Sequence, residues 1–230
     1  MKLDFPPGET FRGTRILRQK QDLAYAYVTS HKAVDADGGP NAYHPDNTGL
    51  DLLANAGYPD EDWWPQVLVP DQNDKSKAYE QRKGKYKGYF IAMTALKKDK
   101  GDAFDPLTYV DSREFPYVVI PAGFEKLANV ADQGDVGLAT HLDSGKTTAF
   151  IVGDYGGGGK AKLGEGAIAL FTALGGKDPN PRNGKGVPDG RIQYILFPGS
   201  RRNGAARWPR TNKDIRDQVV DLIAKTPGIG

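Results

Sequence analysis

Two carboxylates in the sequence stand where they could work on one bond. Asp154 closes an apolar run, Ala149-Phe150-Ile151-Val152, that reads as a buried strand. Glu165 follows a glycine-rich stretch, Tyr155 to Gly164, and opens a segment with helical periodicity through Ile168, Leu170, Phe171 and Leu174. A strand end and the start of the next helix commonly meet at one rim of a sheet, so this order predicts that both side chains face one cleft. Held there, one carboxylic acid donates a proton and one carboxylate accepts one, the pair needed to hydrolyse a glycosidic bond. The same residue types also serve as a turn cap and as a partner for a helix dipole. The local pattern leaves catalysis and capping both open.

Other chemistries find less support. Cysteine is absent, which excludes thiol catalysis, disulfides, zinc ribbons and iron–sulfur ligation together. The histidines, His31, His44 and His141, fall in no nucleophile pattern, and no Gly-x-Ser-x-Gly occurs. Ser144-Gly145-Lys146-Thr147 has the tail of a phosphate loop without its upstream glycine. Gly156 to Gly159 lacks the Gly-x-Gly-x-x-Gly spacing of a dinucleotide site. Asp35-Ala36-Asp37-Gly38 lacks the third ligand position and closing Glu of a calcium loop. The expectation is an enzyme with neither metal nor cofactor.

Six strands are predicted to carry these groups: Ala24 to Thr29, Gly88 to Leu96, Tyr117 to Ile120, Asp135 to Thr140, Thr148 to Gly153 and Arg191 to Phe197. The fourth and fifth read as a hairpin. Helices are predicted over Glu165 to Leu174 and Asn212 to Lys225, with a shorter one over Gly49 to Ala56. The fold class is therefore mainly β (α+β). A single domain over residues 1–230 would hold a six-stranded, mostly antiparallel sheet or a double-psi-like barrel, with two or three helices and long loops. With 29 Gly and 16 Pro in 230 residues, about a fifth of the chain, the composition suits such a turn-rich fold. No apolar run approaches 18 residues, so no membrane span is expected. The opening Met1-Lys2-Leu3-Asp4-Phe5-Pro6-Pro7 lacks the pattern of a signal peptide.

Charge is uneven. Val34 to Trp64 carries seven acids and no Lys or Arg, whereas Asp71 to Lys100 carries nine Lys/Arg against four acids. A third, basic cluster comprises Arg201, Arg202, Arg207, Arg210, Lys213 and Arg216. These basic stretches lack the interleaved aromatics of a stacking platform, so no nucleic-acid partner is expected.

A longer pattern also stands out. The block from Val34 to Asp51, Val-Asp-Ala-Asp-Gly-Gly-Pro-Asn-Ala-Tyr-His-Pro-Asp-Asn-Thr-Gly-Leu-Asp, continues through Leu53-Ala54-Asn55-Ala56-Gly57-Tyr58-Pro59. Further blocks are Gly88-Tyr89-Phe90 with Thr94-Ala95-Leu96, Tyr109-Val110-Asp111-Ser112, Phe115-Pro116-Tyr117-Val118-Val119 and Gly134-Asp135-Val136-Gly137-Leu138-Ala139. Gly153-Asp154, Gly164-Glu165-Gly166-Ala167-Ile168-Ala169-Leu170 and Phe197-Pro198-Gly199-Ser200 complete the series. In this order, over roughly residues 25–205, they resemble the glycoside hydrolase family 75 chitosanases. The resemblance implies endo-hydrolysis of chitosan, a β-1,4-linked glucosamine polymer, with inversion at the anomeric carbon. It places the two essential carboxylates on Asp154 and Glu165. It also implies an extracellular, monomeric enzyme with a polysaccharide partner and no membrane. The Tyr155 to Lys162 loop with its four glycines, and the basic Asp71 to Lys87 segment, depart from the family pattern.

Under this reading the acidic block gains a purpose, because chitosan carries ammonium groups. Asp35 and Asp37 alternate in an extended segment and so share a side. Asn41, Tyr43 and His44 would add hydrogen bonds, and Trp63 or Trp64 would stack on a sugar, with at least one of the two in the core. Asp135 reads equally as a strand-start cap and as a third active-site carboxylate. The helix dipole favours an ionised Glu165 as base, and burial favours a protonated Asp154 as acid. The alternatives are a hydrolase of another amino-sugar polymer such as peptidoglycan, and a non-catalytic carbohydrate-binding module.

Overall fold

The computed structural model describes residues 2–202 and 208–230, so Arg207 of the third basic cluster lies outside the described residues. The chain is mainly β. Its strands are β1 (Pro7–Phe11), β2 (Thr14–Arg18), β3 (Tyr25–Thr29), β4 (Ala33–Asp35), β5 (Tyr117–Pro121), β6 (Val136–His141), β7 (Thr147–Gly156), β8 (Glu165–Ala167) and β9 (Ile192–Phe197). They form one nine-stranded sheet in the order β1-β2-β3-β9-β6-β7-β5-β8-β4. Pairing is antiparallel except for β4 with β8 and β5 with β7.

The strands rich in β-branched and aromatic residues lie close to where the sequence places them, and β6 and β7 form the expected antiparallel hairpin. The expected count of six is corrected to nine. Strands β1 and β2 escape the pattern because Pro7-Gly8-Glu9-Thr10-Phe11 and Thr14-Arg15-Ile16-Leu17-Arg18 are short and mix polar with apolar residues without a period of two. Strands β4 and β8 escape because each is three residues long. The predicted strand Gly88 to Leu96 is absent as a strand. Among the described residues it makes isolated bridges, Glu80 with Phe90 and Leu68 with Ala92, and belongs to a loop-rich subdomain packed beside the sheet.

Helix α2 (Asn212–Lys225) matches its expected span. Its N-cap is Thr211, whose side chain accepts from the Asp214 N–H while Asp214 reaches back to the Thr211 N–H. Ile215 and Val219 lie buried on its inner face, which packs across β6 and β7. Each such burial stabilises by about 1.5–3 kcal/mol. Helix α1 (Ile168–Ala173) is shorter than predicted, because Glu165–Ala167 is strand β8. The short helix at 49–56 is a 3-10 turn, Leu53–Ala56. No helix among the described residues is long and apolar enough to cross a membrane.

The main core lies between the sheet and the two helices, with Tyr117, Phe150, Phe171, Tyr194 and Phe197 fully buried. A second core, including Tyr43, Trp64, Leu68 and Phe90, sits inside the 36–92 loops.

Candidate active site

The two carboxylates singled out by sequence reach a common face through register. On β7, Asp154 pairs with Val119 of β5. On β8, Gly166 pairs with Val118 of β5 in the antiparallel sense. Continuing that register by one residue sets Glu165 opposite Val119. Asp154, Val119 and Glu165 then form one row across three strands, and residues in one row share a face. Glu165 pairs in turn with Ala33 of β4, so Asp35, two residues on, shares that face too.

Asp154 owes this orientation to a bulge. Val118 pairs with Val152, but Val119 pairs with Asp154, leaving Gly153 as the extra residue. Without it, Asp154 would point with Val152 into the core; the bulge turns it to the opposite side. The residue must be glycine, since a Cβ there would stand 2.7 Å from the Tyr117 ring. The freed Gly153 carbonyl accepts from the Leu96 N–H at 2.9 Å, which docks the 94–96 segment over the bulge. From that segment Ala95 N–H donates to Asp154 Oδ1 at 2.9 Å, and Tyr155 N–H donates to the same oxygen at 2.8 Å.

Strand β8 fits between β4 and β5 through Gly166, where a Cβ would meet the Tyr117 carbonyl at 2.8 Å. A flat sheet would leave Asp35 three strand spacings, about 14 Å, from Asp154. Yet carboxylate oxygens of Asp35, Asp37 and Asp154 all lie within 4.8 Å of one another. The β7-β5-β8-β4 end of the sheet therefore curls inward around the site. Asp35 accepts from the Asp37 N–H at 2.8 Å, and Asp37 accepts from the Tyr43 hydroxyl at 2.8 Å. Tyr117 donates to the Asp37 carbonyl and Ser112 to the Ala36 carbonyl, both at 3.0 Å, fixing the 35–37 backbone.

These groups line a groove of about 1610 Å³. Asp51 lines it as well, with Oδ1 held by the Leu52 N–H and Asn55 Nδ2, each at 2.7 Å. Trp63, 37 % exposed, stands at its rim, whereas Trp64 is buried in the second core. Glu165 is half-buried and accepts no hydrogen bond from the described residues.

Burial, with mutual repulsion in most of them, raises five carboxyls of the groove, Asp35, Asp37, Asp51, Asp154 and Glu165. Asp35 is pushed up to about 6, chiefly by desolvation and further by the Asp51 charge. Glu165 is pushed up to about 8, by desolvation first and then by Asp35 and Asp51. Burial also lifts Asp154 and Asp37 well above the usual carboxylate range, with the charges of Asp35 and Glu165 adding to the effect on Asp154 and those of Asp35 and Asp154 on Asp37. Like charges this close cannot all ionise, so the cluster shares protons at neutral pH.

The structure separates the other expected residues. Asp35, Asp37, Tyr43 and Trp63 line the groove with Asp154 and Glu165; Asn41, His44 and Asp135 are not among its lining residues. His44 is a loop residue, its Nδ1 accepting from the Asp46 N–H at 3.1 Å and its ring edge-on to Tyr89. Asp135 is a cap, accepting from the N–H groups of Asp132, Gly199 and Arg201. Asn41 has a buried Oδ1 with no partner among the described residues. Asp51 and Asn55 were not singled out by sequence, although Asp51 belongs to the acidic block that pointed to this region. The helix-dipole reason for an ionised Glu165 is corrected: Glu165 lies in β8, three residues ahead of a six-residue helix.

Three carboxylates at this spacing could also hold a divalent cation, for which Asp35, Asp37 and Asp154 would supply oxygens. The chain matches no protein-family model. No curated protein matches it either.

Proposed function

We propose that this protein is an inverting endo-glycoside hydrolase that cleaves β-1,4 bonds of chitosan outside the cell. The observation that carries the reading is the row Asp154–Val119–Glu165, two carboxyls facing one long groove from strands separated by a third. Two strand spacings set their Cα atoms at most about 10 Å apart. That suits the separation of about 6.5–9.5 Å that leaves room for a water between acid and base. The resemblance to family 75 chitosanases falls on the same two residues.

Roles follow from hydrogen bonding. Burial raises both carboxyls, Asp154 well above the usual range, but two backbone N–H groups donate to Asp154 and favour its anion, while Glu165 accepts no hydrogen bond from the described residues. Glu165 therefore carries the proton that goes to the leaving oxygen. Asp154 takes a proton from the attacking water, reversing the assignment that the helix dipole suggested. The bond from the anomeric carbon to the leaving oxygen breaks as the water oxygen bonds from the opposite face. Asp35, Asp37 and Asp51 supply negative charge that attracts the ammonium groups of the polymer.

Incubation with chitosan, chitin, cellulose and purified peptidoglycan, followed by NMR of the fresh anomers, tests this directly. Chitosan should release oligomers whose new reducing ends start as the α anomer. Release from peptidoglycan alone, β-anomeric products or no release from any polymer would overturn the proposal. Azide should restore turnover to Asp154→Ala and not to Glu165→Ala.

A further inference from the structure

The second charged feature of the molecule lies outside the groove. Residues 80–90 form a hairpin, with Gln81 N–H donating to the Tyr89 carbonyl at 2.8 Å and Gly88 N–H to the Gln81 carbonyl at 2.9 Å. Its tip reads Arg82-Lys83-Gly84-Lys85-Tyr86-Lys87, four cations and no acid. The four are exposed. Arg82 stands 3.7 Å from Asp71. Among the described residues, Lys83, Lys85 and Lys87 pair with no carboxylate. Turn bonds from Lys87 N–H to the Gly84 carbonyl and from Tyr89 N–H to the Tyr86 carbonyl hold the tip in one shape. An exposed cluster of fixed like charges costs stability through self-repulsion and attracts anions.

Two observations narrow the anion. The aromatic rings here are already engaged: Arg82 lies over Tyr79, Lys85 over Tyr86, and Tyr89 packs against both Tyr86 and His44. Stacking with nucleic-acid bases needs free ring faces. Insertion into a membrane needs exposed apolar side chains, and the only apolar surface at the tip is the half-buried Tyr86. Beside the tip lies a pocket of about 450 Å³ lined by Lys77, Arg82 and Lys87 and by Asp71, Asp74 and Glu80, with Lys77 paired to Asp74 at 3.0 Å and Lys87 paired to no carboxylate among the described residues. Its carboxylates accept hydrogen bonds from sugar hydroxyls, donors that a phosphodiester backbone lacks, while the lysines of the tip that pair with no carboxylate among the described residues meet sugar carboxylates.

We propose that the 82–87 hairpin and this pocket form a docking surface for an acidic polysaccharide, a chain of hydroxyl-rich units bearing carboxylates. It is distinct from the carboxylate-lined groove, and its binding is read without turnover, so it stands or falls apart from the hydrolytic reading.

Affinity electrophoresis of the full chain in polygalacturonate tests it. The protein should be retarded, and added salt should release it. Each exposed pair contributes roughly twofold to fivefold. The combined Lys83→Ala, Lys85→Ala and Lys87→Ala variant should therefore bind about tenfold or more weakly, with a thermal midpoint no lower than that of the wild type. The matching triple Lys→Arg variant should bind as the wild type does, and Lys83→Glu alone should weaken binding. No retardation, or retardation unchanged in the alanine variant, overturns the proposal. So does tighter binding at 150 mM salt to single-stranded DNA or to vesicles of phosphatidylserine and phosphatidylcholine.

Discussion

Replacing Glu165 with glutamine should make the protein more stable at neutral and alkaline pH while abolishing turnover. In the folded chain Glu165 titrates at about 8, against an ordinary 4.5. Between those values the folded state holds a proton that the unfolded state has shed. A group with a raised folded pKa contributes fully below its unfolded pKa, and that contribution is lost as pH rises. At 1.36 kcal/mol per tenfold, the wild type should lose about 3–4 kcal/mol between pH 5 and pH 8 from this group. Asp35, titrating at about 6, should add a further 1–2 kcal/mol or so, mostly below pH 6. Glutamine keeps the shape of the side chain and has no charge to desolvate, so the variant should show a distinctly shallower fall, the remainder coming from Asp35, Asp37, Asp51 and Asp154. Urea unfolding followed by tryptophan fluorescence at pH 5, 6, 7 and 8 measures both curves. Equal pH dependence in wild type and variant would refute the reasoning, because Glu165 would then be solvated and not held protonated in the groove. The same variant should lose about two to four orders of magnitude in turnover on chitosan, the ordinary worth of a positioned proton donor.

Gly153→Ala should destabilise by about 1–3 kcal/mol and cut activity strongly, since the methyl would meet the Tyr117 ring at 2.7 Å and either shift that ring or undo the bulge; thermal melts and chitosan assays read the two losses together. Neutralising Asp35 and Asp37 together, each to Asn, should raise KM for highly deacetylated polymer more than for acetylated polymer, and equal effects on both would remove charge recognition from the account. Ile215→Ala, at a buried α2 position against the sheet, should cost about 2–4 kcal/mol in urea unfolding and leave KM unchanged.

The parts of the fold that are legible in sequence are those whose burial is written in apolar runs. Ala149-Phe150-Ile151-Val152 and Ile192–Phe197 are buried on both faces and can hardly be anything but central strands. Helix α2 is legible because Ile215, Val219, Leu222 and Ile223 recur at helical spacing. Strands β4 and β8 are not, because three residues carry no period; what makes them strands is each other and β5. For the same reason Glu165 reads as a helix start. The apolar spacing from Ile168 onward is real, and nothing local says that the preceding three residues pair with Ala33–Asp35. Asp35, Asp37, Asp154 and Glu165 are singled out by chemistry, whereas Asp51 and Asn55 are not, and Asn41, His44 and Asp135 are not among the lining residues of the groove. That Asp35 and Asp154, 119 positions apart, bring oxygens within 4.8 Å depends on the curl of the sheet.

That curl has a topological origin. Among the described residues the two parallel pairings, β5 with β7 and β4 with β8, both lie at the site. Strand β7 runs parallel to β5 and β8 runs antiparallel to it, so β7 and β8 run in opposite senses with β5 between them. On leaving β7 after Gly156, residues 157–164 pass the end of β5 and re-enter the sheet on its far side as β8. Asp154 and Glu165 thus sit at the two feet of one crossing and flank Val119, which is why eleven residues of sequence separate groups that face a common groove. The crossing segment runs along that groove, with Gly156, Gly157 and Gly158 in its wall. Three glycines leave this wall bare of side chains. The glycine stretch that resembles a nucleotide loop in sequence is the bare rim of the carboxylate-lined groove, and under the proposed function it would leave the path of a polymer open.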